Sequence, residues 1–178
     1  MPTAEFLPLD PSAINVQSFN CGKDVINTYL RRYAAKNMAL NLNRTFVLPY
    51  IPEALTPKQD SGKSHVAAYY TLALQTLMRE ELPDPSRLPR YPVPVILLAQ
   101  LGIDRRFHRQ GLGAKTLVHA LRHAYQIASN PNGIPALGIV LDVLDQEALA
   151  FYRSFDFFLP LTDNPMKLFV PMASLETL

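Results

Sequence analysis

The densest chemistry in this chain lies in Asp104-Arg105-Arg106-Phe107-His108-Arg109-Gln110-Gly111-Leu112-Gly113-Ala114. Glycine lets a backbone approach a phosphate closely, and the unpaired amides at a helix start carry partial positive charge. Arg105, Arg106 and Arg109 add full charges around them. These types at this spacing suit a cradle for a phosphate-bearing ligand, although Gly-x-Gly alone also fits a plain strand-to-helix turn. Two other phosphate motifs are excluded. Thr116 stands where Gly-x-Gly-x-x-Gly needs its third glycine, and Pro57 stands where a Walker loop ending Ser61-Gly62-Lys63-Ser64 needs its first.

Other reactive residue types carry less. His119 and His123, at i and i+4, could ligate a metal, but no Glu follows His119 and no third ligand accompanies them, so no metal is expected. The single cysteine, Cys21, excludes an internal disulfide, suits a reducing compartment and reads as a small buried residue.

A strand and a helix must hold the glycine turn. Val95-Ile96-Leu97-Leu98-Ala99, continued by Leu101 and Ile103, is a β-branched and aliphatic run suited to a buried strand. After the turn, Leu117, Leu121, Ala124 and Ala128 recur at helical spacing while His119, Arg122 and Gln126 take another face, which predicts an amphipathic helix opening at the glycines. Upstream, an edge strand is expected over Phe6 to Leu9. A helix follows from near Asp24 with Ile26, Tyr29, Leu30 and Tyr33 on one face, then a strand over Arg44 to Leu48, a loop over Ile51 to Lys63 and a strand over His65 to Leu74. Pro83, Pro85, Pro89, Pro92 and Pro94 exclude a helix and resist regular pairing, so a structured loop leads into the central strand. Downstream, the pattern predicts a strand over Ala136 to Val143, a short helix capped by Asp145, a strand starting at Phe155-Asp156-Phe157-Phe158 and a last strand over Met166 to Val170.

The 178 residues, 48% hydrophobic, fit one domain spanning 1–178 with a real core. Met1-Pro2-Thr3-Ala4-Glu5 lacks the basic start of a signal peptide, and no apolar run approaches the ~20 residues of a membrane span, so a cytoplasmic protein with no membrane partner is expected. Charge is uneven: through Arg122 there are 15 basic and 9 acidic side chains, and after it 2 and 6. The basic part either attracts an anionic partner or is a solvated mixed surface, and part of the charge is accounted for by the phosphate loop.

The strand ending Leu101-Gly102-Ile103-Asp104, followed by His108 to Ala114, resembles motif A of the GNAT acetyl-CoA-dependent N-acetyltransferases. That resemblance implies a mixed α/β fold with a central, mostly antiparallel mixed sheet splayed at the acetyl-CoA site and flanked by helices. It implies that His108, Arg109, Gln110, Gly111, Leu112, Gly113 and Ala114 bind the CoA pyrophosphate, with His108 in place of the usual Arg or Gln. Leu101 and Ile103 would hold pantetheine and polarise the acetyl carbonyl through backbone amides, and Phe151 joins the cofactor-binding residues. A narrower resemblance, to the acetyltransferase toxins of bacterial type II toxin–antitoxin pairs, rests on Phe19-Asn20-Cys21-Gly22, Tyr29-Leu30, Arg44-Thr45-Phe46-Val47, the Tyr69-Tyr70-Thr71-Leu72 segment with Ala68 at its glycine, and Pro92-Val93-Pro94. Ala148, Phe151, Tyr152, Phe155 and Phe157 resemble the family's C-terminal signature, with Asp156 replacing a glycine.

In that family the tyrosine matching Tyr152 is the general acid. A phenol of reference pKa ~10 can protonate a departing thiolate of reference ~8.5, uphill but feasible; without the family context Tyr152 reads as a packing tyrosine beside Phe151 and Phe155. No side chain presents itself as a general base. An α-amine of reference pKa ~8, lowered further by an adjacent ester, needs none at neutral pH, which favours the toxins' substrate, aminoacyl-tRNA. Candidate tRNA contacts outside the CoA loop are Arg31, Arg32, Lys36, Arg44, Arg87 and Arg90. The resemblance further implies a homodimer and a ribbon-helix-helix antitoxin. The alternatives are a GNAT enzyme acting on a small amine or protein N-terminus, and a catalytically inactive acyl-CoA-binding protein.

Overall fold

The structure is a computed structural model that describes residues 2, 5–53 and 62–178. Most of the loop expected over Ile51 to Lys63, residues 54–61, therefore lies outside the described residues, as do Pro57 and Ser61 of the rejected Walker pattern. The fold is mixed α/β, with a mostly antiparallel sheet and flanking helices. Strand neighbours follow the order β1 (Leu7–Pro8), β3 (Arg44–Tyr50), β4 (Ser64–Leu77), β5 (Val93–Ile103), β6 (Gly138–Asp142), β8 (Asn164–Pro171) and β7 (Leu159–Leu161), with β2 (Ile14–Asn15) beside β4. Two compact units divide the chain, Met1–Leu72 with Gln100–Leu117, and Ala73–Ala99 with Val118–Leu178.

In the first unit, β1 (Leu7–Pro8) runs antiparallel to β3 (Arg44–Tyr50), and β3 antiparallel to β4 (Ser64–Leu77) from Arg44↔Leu72 to Tyr50↔His65. The register slips between Leu48 and Pro49, where proline has no N–H for the ladder. A two-residue strand that the sequence pattern did not signal, β2 (Ile14–Asn15), lies parallel to the start of β4. Fully buried Phe19, Leu30, Ala34, Val47 and Tyr69 form the core here, Phe19 meeting Tyr69 edge-on at 5.3 Å.

The expected first helix is interrupted. Its α-helical parts, α1 (Asp24–Thr28) and α2 (Ala34–Ala39), are joined by a π turn over Tyr29–Tyr33, closed by the Ala34 N–H on the Tyr29 carbonyl. The wider turn shifts the helical phase, so Leu30 and Ala34 are buried while Tyr33, expected on the apolar face, is 50% exposed.

In the second unit, the first part of β5 (Val93–Ile103), up to Ala99, pairs in parallel with β6 (Gly138–Asp142) at Ile96↔Ile139 and Leu97↔Val140. Strand β8 (Asn164–Pro171) runs antiparallel to both β6 and β7 (Leu159–Leu161). Leu77, Leu82, Val93, Val95, Val140, Leu161 and Phe169 form the buried cluster. β5 begins earlier than expected and includes exposed Pro94, whose carbonyl accepts from the Leu137 N–H at 2.9 Å. The strand predicted to start at Phe155 is a turn instead. Phe155, Phe157 and Phe158 have ring centroids 4.9–6.4 Å apart, and such mutual packing of near-consecutive side chains defeats the alternation a strand requires.

Candidate active site

Strand β5, a 3-10 turn (Arg105–Phe107) and helix α3 (Leu112–Ser129) form the predicted strand–turn–helix unit. Within the first unit, the Asp104 N–H donates to the Ala67 carbonyl of β4 at 2.8 Å. Polar main-chain groups alternate sides along a strand, so those of Leu101 and Ile103 point to the edge opposite β4. The Ile103 carbonyl on that edge is engaged by the His108 ring Nε2 at 2.7 Å. His108, the departure from the motif, thus folds its side chain back onto the strand.

The turn beyond is shaped by unusual backbone. Arg109 adopts φ +59° and Gly111 φ +76°, and at Gly111 an added Cβ would meet open space, so the glycine serves backbone conformation rather than packing. Arg109, Gln110 and Gly111 are exposed, and Leu112, Gly113 and Ala114 open α3, where the first amides have no intrahelical acceptor. Gln110 Nε2 donates to the Arg106 carbonyl at 3.3 Å. Ile103, Phe107 and Leu112 pack on a cluster of Leu48, Tyr50, Ala67 and Ala68, which seats the turn on β3 and β4. Phe107, Gln110, Leu112 and Lys115, with Glu53 and Pro2, line a cavity of about 340 Å³. Lys115, a cation one turn into α3, was not singled out from the sequence.

Asp104, at the head of the turn, has no role assigned by the sequence pattern. It is 2% exposed, accepts from the Arg106 N–H through Oδ1 and the Asn20 N–H through Oδ2, both at 3.0 Å, and has the Arg106 Nε 3.8 Å away. Arg106 also donates to the Tyr50 hydroxyl. Nearby, the Ser18 hydroxyl and the His65 Nδ1 are 2.9 Å apart, and the buried His65 Nε2 has no hydrogen-bond partner among the described residues.

Tyr152 belongs to the second unit, on α4 (Gln146–Arg153), whose start is capped by the Asp145 carboxylate accepting from the Ala148 N–H at 2.9 Å. Its ring is buried, edge-on to Phe151 at 5.2 Å and Phe158 at 5.6 Å, and this burial pushes its pKa up to about 12. The hydroxyl is therefore protonated throughout the neutral range, the state an acid must start from. Phe151 is half-buried on the same helix.

Of the six basic candidates, Arg31, Arg32 and Lys36 come together on the π turn and α2. They line a cavity of about 400 Å³ with Lys63, which the sequence pattern did not single out, over an aliphatic floor that contains Ile14 and Leu30. Arg31 has a second duty, donating to the Phe19 carbonyl. Arg44 does not line that cavity and is engaged by Asn41 Oδ1 at 3.0 Å and the Asn43 carbonyl at 3.3 Å. Arg87 and Arg90 are exposed in the segment between β4 and β5, in the second unit. Among the described residues no group of three potential ligands could hold a metal ion, and no helix is long and apolar enough to cross a membrane.

The mixed α/β sheet and the strand–turn–helix unit are consistent with the GNAT fold. No protein-family model matches the chain. It is 32% identical over 168 residues to a tRNA-acetylating toxin of Mycobacterium tuberculosis (strain ATCC 25618 / H37Rv), covering 93% of this chain and 91% of that protein. Its structure resembles that of AtaT complexed with acetyl-methionyl-tRNAfMet, with a TM-score of 0.80 and 27% identity over 99% of this chain and 98% of that one. It is also similar to a tyrosine-to-phenylalanine variant of the AtaT toxin bound to the C-terminus of the antitoxin AtaR and acetyl-CoA, with a TM-score of 0.75 and 25% identity over 97% and 96% of the two chains. The chain belongs to the GNAT acetyltransferase toxins of type II toxin–antitoxin systems.

Proposed function

We propose that this protein transfers the acetyl group of acetyl-CoA to the α-amino group of an aminoacyl-tRNA and thereby blocks translation. Its similarity to a tRNA-acetylating toxin over 93% of this chain is the observation that carries this reading. The backbone of β5 and the turn after it supports the donor half. Leu101 and Ile103 use their backbone amides for the pantetheine and the acetyl carbonyl, and residues 108–114 offer amides and cations to the pyrophosphate. The amine nitrogen attacks the thioester carbonyl carbon, the carbon–sulfur bond breaks, and the departing sulfur takes its proton from the Tyr152 hydroxyl. The proton released by the new amide nitrogen returns to Tyr152 through solvent.

With Tyr152 at a pKa of about 12 and a thiol reference of ~8.5, the proton transfer is uphill by about 5 kcal/mol, roughly a third of the ~16 kcal/mol barrier of an enzyme that turns over ~10 times per second. Arg32 and Lys36, with Lys63, supply phosphate contacts for the tRNA, and Arg44, Arg87 and Arg90 supply further cations for it. The protein acts in the cytoplasm as a homodimer, neutralised by a ribbon-helix-helix antitoxin. The solved AtaT complex with the C-terminus of the antitoxin AtaR supports an antitoxin partner.

Transfer of labelled acetyl from acetyl-CoA to bulk aminoacylated tRNA, with deacylated tRNA, polyamines and peptides as parallel acceptors, tests the proposal. Label that requires the aminoacyl group is expected. Label confined to small amines or peptides would identify an ordinary GNAT enzyme, and acetyl-CoA binding with no transfer would identify an acyl-CoA-binding protein.

A further inference from the structure

The Asn20-Cys21-Gly22 lead has no role in the chemistry above, yet it is bonded to the phosphate loop at both main-chain atoms of Asn20. The Asn20 N–H donates to Asp104 Oδ2 at 3.0 Å, and the Asn20 carbonyl accepts from the Arg105 N–H at 2.9 Å. The lead is itself braced. Asn20 Oδ1 accepts from the Gly22 N–H at 2.9 Å and from Asn27 Nδ2 at 3.0 Å, while Asn27 Oδ1 accepts from the Cys21 N–H at 2.8 Å. Asn27, on α1, is 3% exposed. Gly22, at φ +90°, leaves room for the Arg105 guanidinium, whose Nε lies 3.1 Å from where a Cβ would stand.

Asp104 joins this bracket to the turn. A buried carboxylate is costly unless its oxygens are engaged, and here each takes one main-chain N–H, one from the lead and one from the loop. We propose that Asp104 is a positioning residue that fixes the phosphate-binding loop against the Asn20-Cys21-Gly22 lead, so that the lead sets affinity for the phosphates of the acetyl donor. The inference rests on the acetyl-CoA reading of residues 108–114.

Two simple roles for this carboxylate predict opposite signs. If Asp104 acted on the donor only through its charge, removing that charge beside three arginines would tighten phosphate binding. As a bracket, it must weaken binding when lost. Asp104→Asn keeps one acceptor oxygen but turns an NH2 donor toward a main-chain N–H donor, breaking one of the two links. The Asp104 N–H to Ala67 carbonyl bond, and with it the orientation of Leu101 and Ile103, does not depend on the side chain.

Steady-state kinetics with acetyl-CoA and with acetyl-pantetheine, which lacks the phosphates, test this on wild type, Asp104→Asn and Gly22→Ala. Loss of a charge-assisted bond predicts a KM for acetyl-CoA raised about tenfold in Asp104→Asn, with kcat within about twofold and the KM for acetyl-pantetheine unchanged. Gly22→Ala, which displaces Arg105 from an exposed position, should shift the same parameter in the same direction and decides the matter if Asp104→Asn does not fold. An unchanged or lower KM for acetyl-CoA, or equal losses with both donors, would overturn the positioning role. A wild-type protein that uses neither donor nor binds CoA would instead overturn the acetyl-CoA reading.

Discussion

Tyr152 shows how the environment of one residue constrains its use. Burial among Phe151 and Phe158 makes the hydroxyl a poor spontaneous acid but keeps its proton in place at every physiological pH. Tyr152→Phe retains the ring and its packing and removes the proton. Its kcat should fall by about two orders of magnitude or more while the Kd for acetyl-CoA stays within a few-fold, read by transfer kinetics and calorimetry. Unaltered turnover would remove Tyr152 from the acid role. The proposed tRNA contacts divide on similar grounds. Because Arg31 also holds the Phe19 carbonyl, its substitution mixes folding with binding, whereas Arg32 and Lys36 are exposed. Arg32→Glu with Lys36→Glu should weaken tRNA binding and lower the slope of log affinity against log salt by about 1 for each phosphate no longer neutralised. An unchanged slope would take both residues out of the interface.

At the scale of elements, β5 unites the recognised turn with the N-terminal lead. A Cβ at Gly102 would stand 2.7 Å from Ile26 Cγ2 and 3.2 Å from both Phe19 Cζ and Tyr69 Cε1. Phe19 and Tyr69 are fully buried rings, and Tyr69 is further held by its hydroxyl on the Ile26 carbonyl at 2.6 Å. Gly102→Ala is therefore expected to destabilise the fold by about 1–3 kcal/mol through overpacking, measurable by denaturant unfolding. A neutral effect would mean that α1 can withdraw from β5 freely. The helix bearing Arg31 and Arg32 was legible from periodicity, but its π turn was not, because one extra residue per turn changes phase without changing composition. The aromatic run at Phe155 was misread for a related reason: β-propensity registers ring content, not the mutual ring packing that bends the chain.

For the whole molecule, pH-dependent stability is set in part by His65. Burial first, and then the nearby Arg106 charge, lower its pKa from the ordinary 6.5. The unfolded chain thus binds more protons just below that value than the folded one, so stability is full above about pH 7 and is lost as pH falls below 6.5. The Tm should decline from pH 7.5 to 5.5, and His65→Gln should flatten that decline. A wild-type Tm that rises toward pH 5.5 would contradict the burial of neutral His65.

The sequence by itself determined the family resemblance, the β5–turn–α3 unit, the cap at Asp145 and the position of Tyr152. Each depends on local spacing: glycines where the backbone must turn, apolar residues at helical or strand period, a carboxylate at a helix start. Tertiary structure alone decided that His108 turns onto the Ile103 carbonyl, that Arg31, Arg32 and Lys36 share a cavity with Lys63, and that Asn20 is bonded to Asp104, 84 positions further along the chain. The physical reason is the same in each case. A hydrogen bond or a cavity wall depends on which backbone atoms are brought together in space, and residue type states only what a group can donate or accept, not which distant partner the folded chain presents to it.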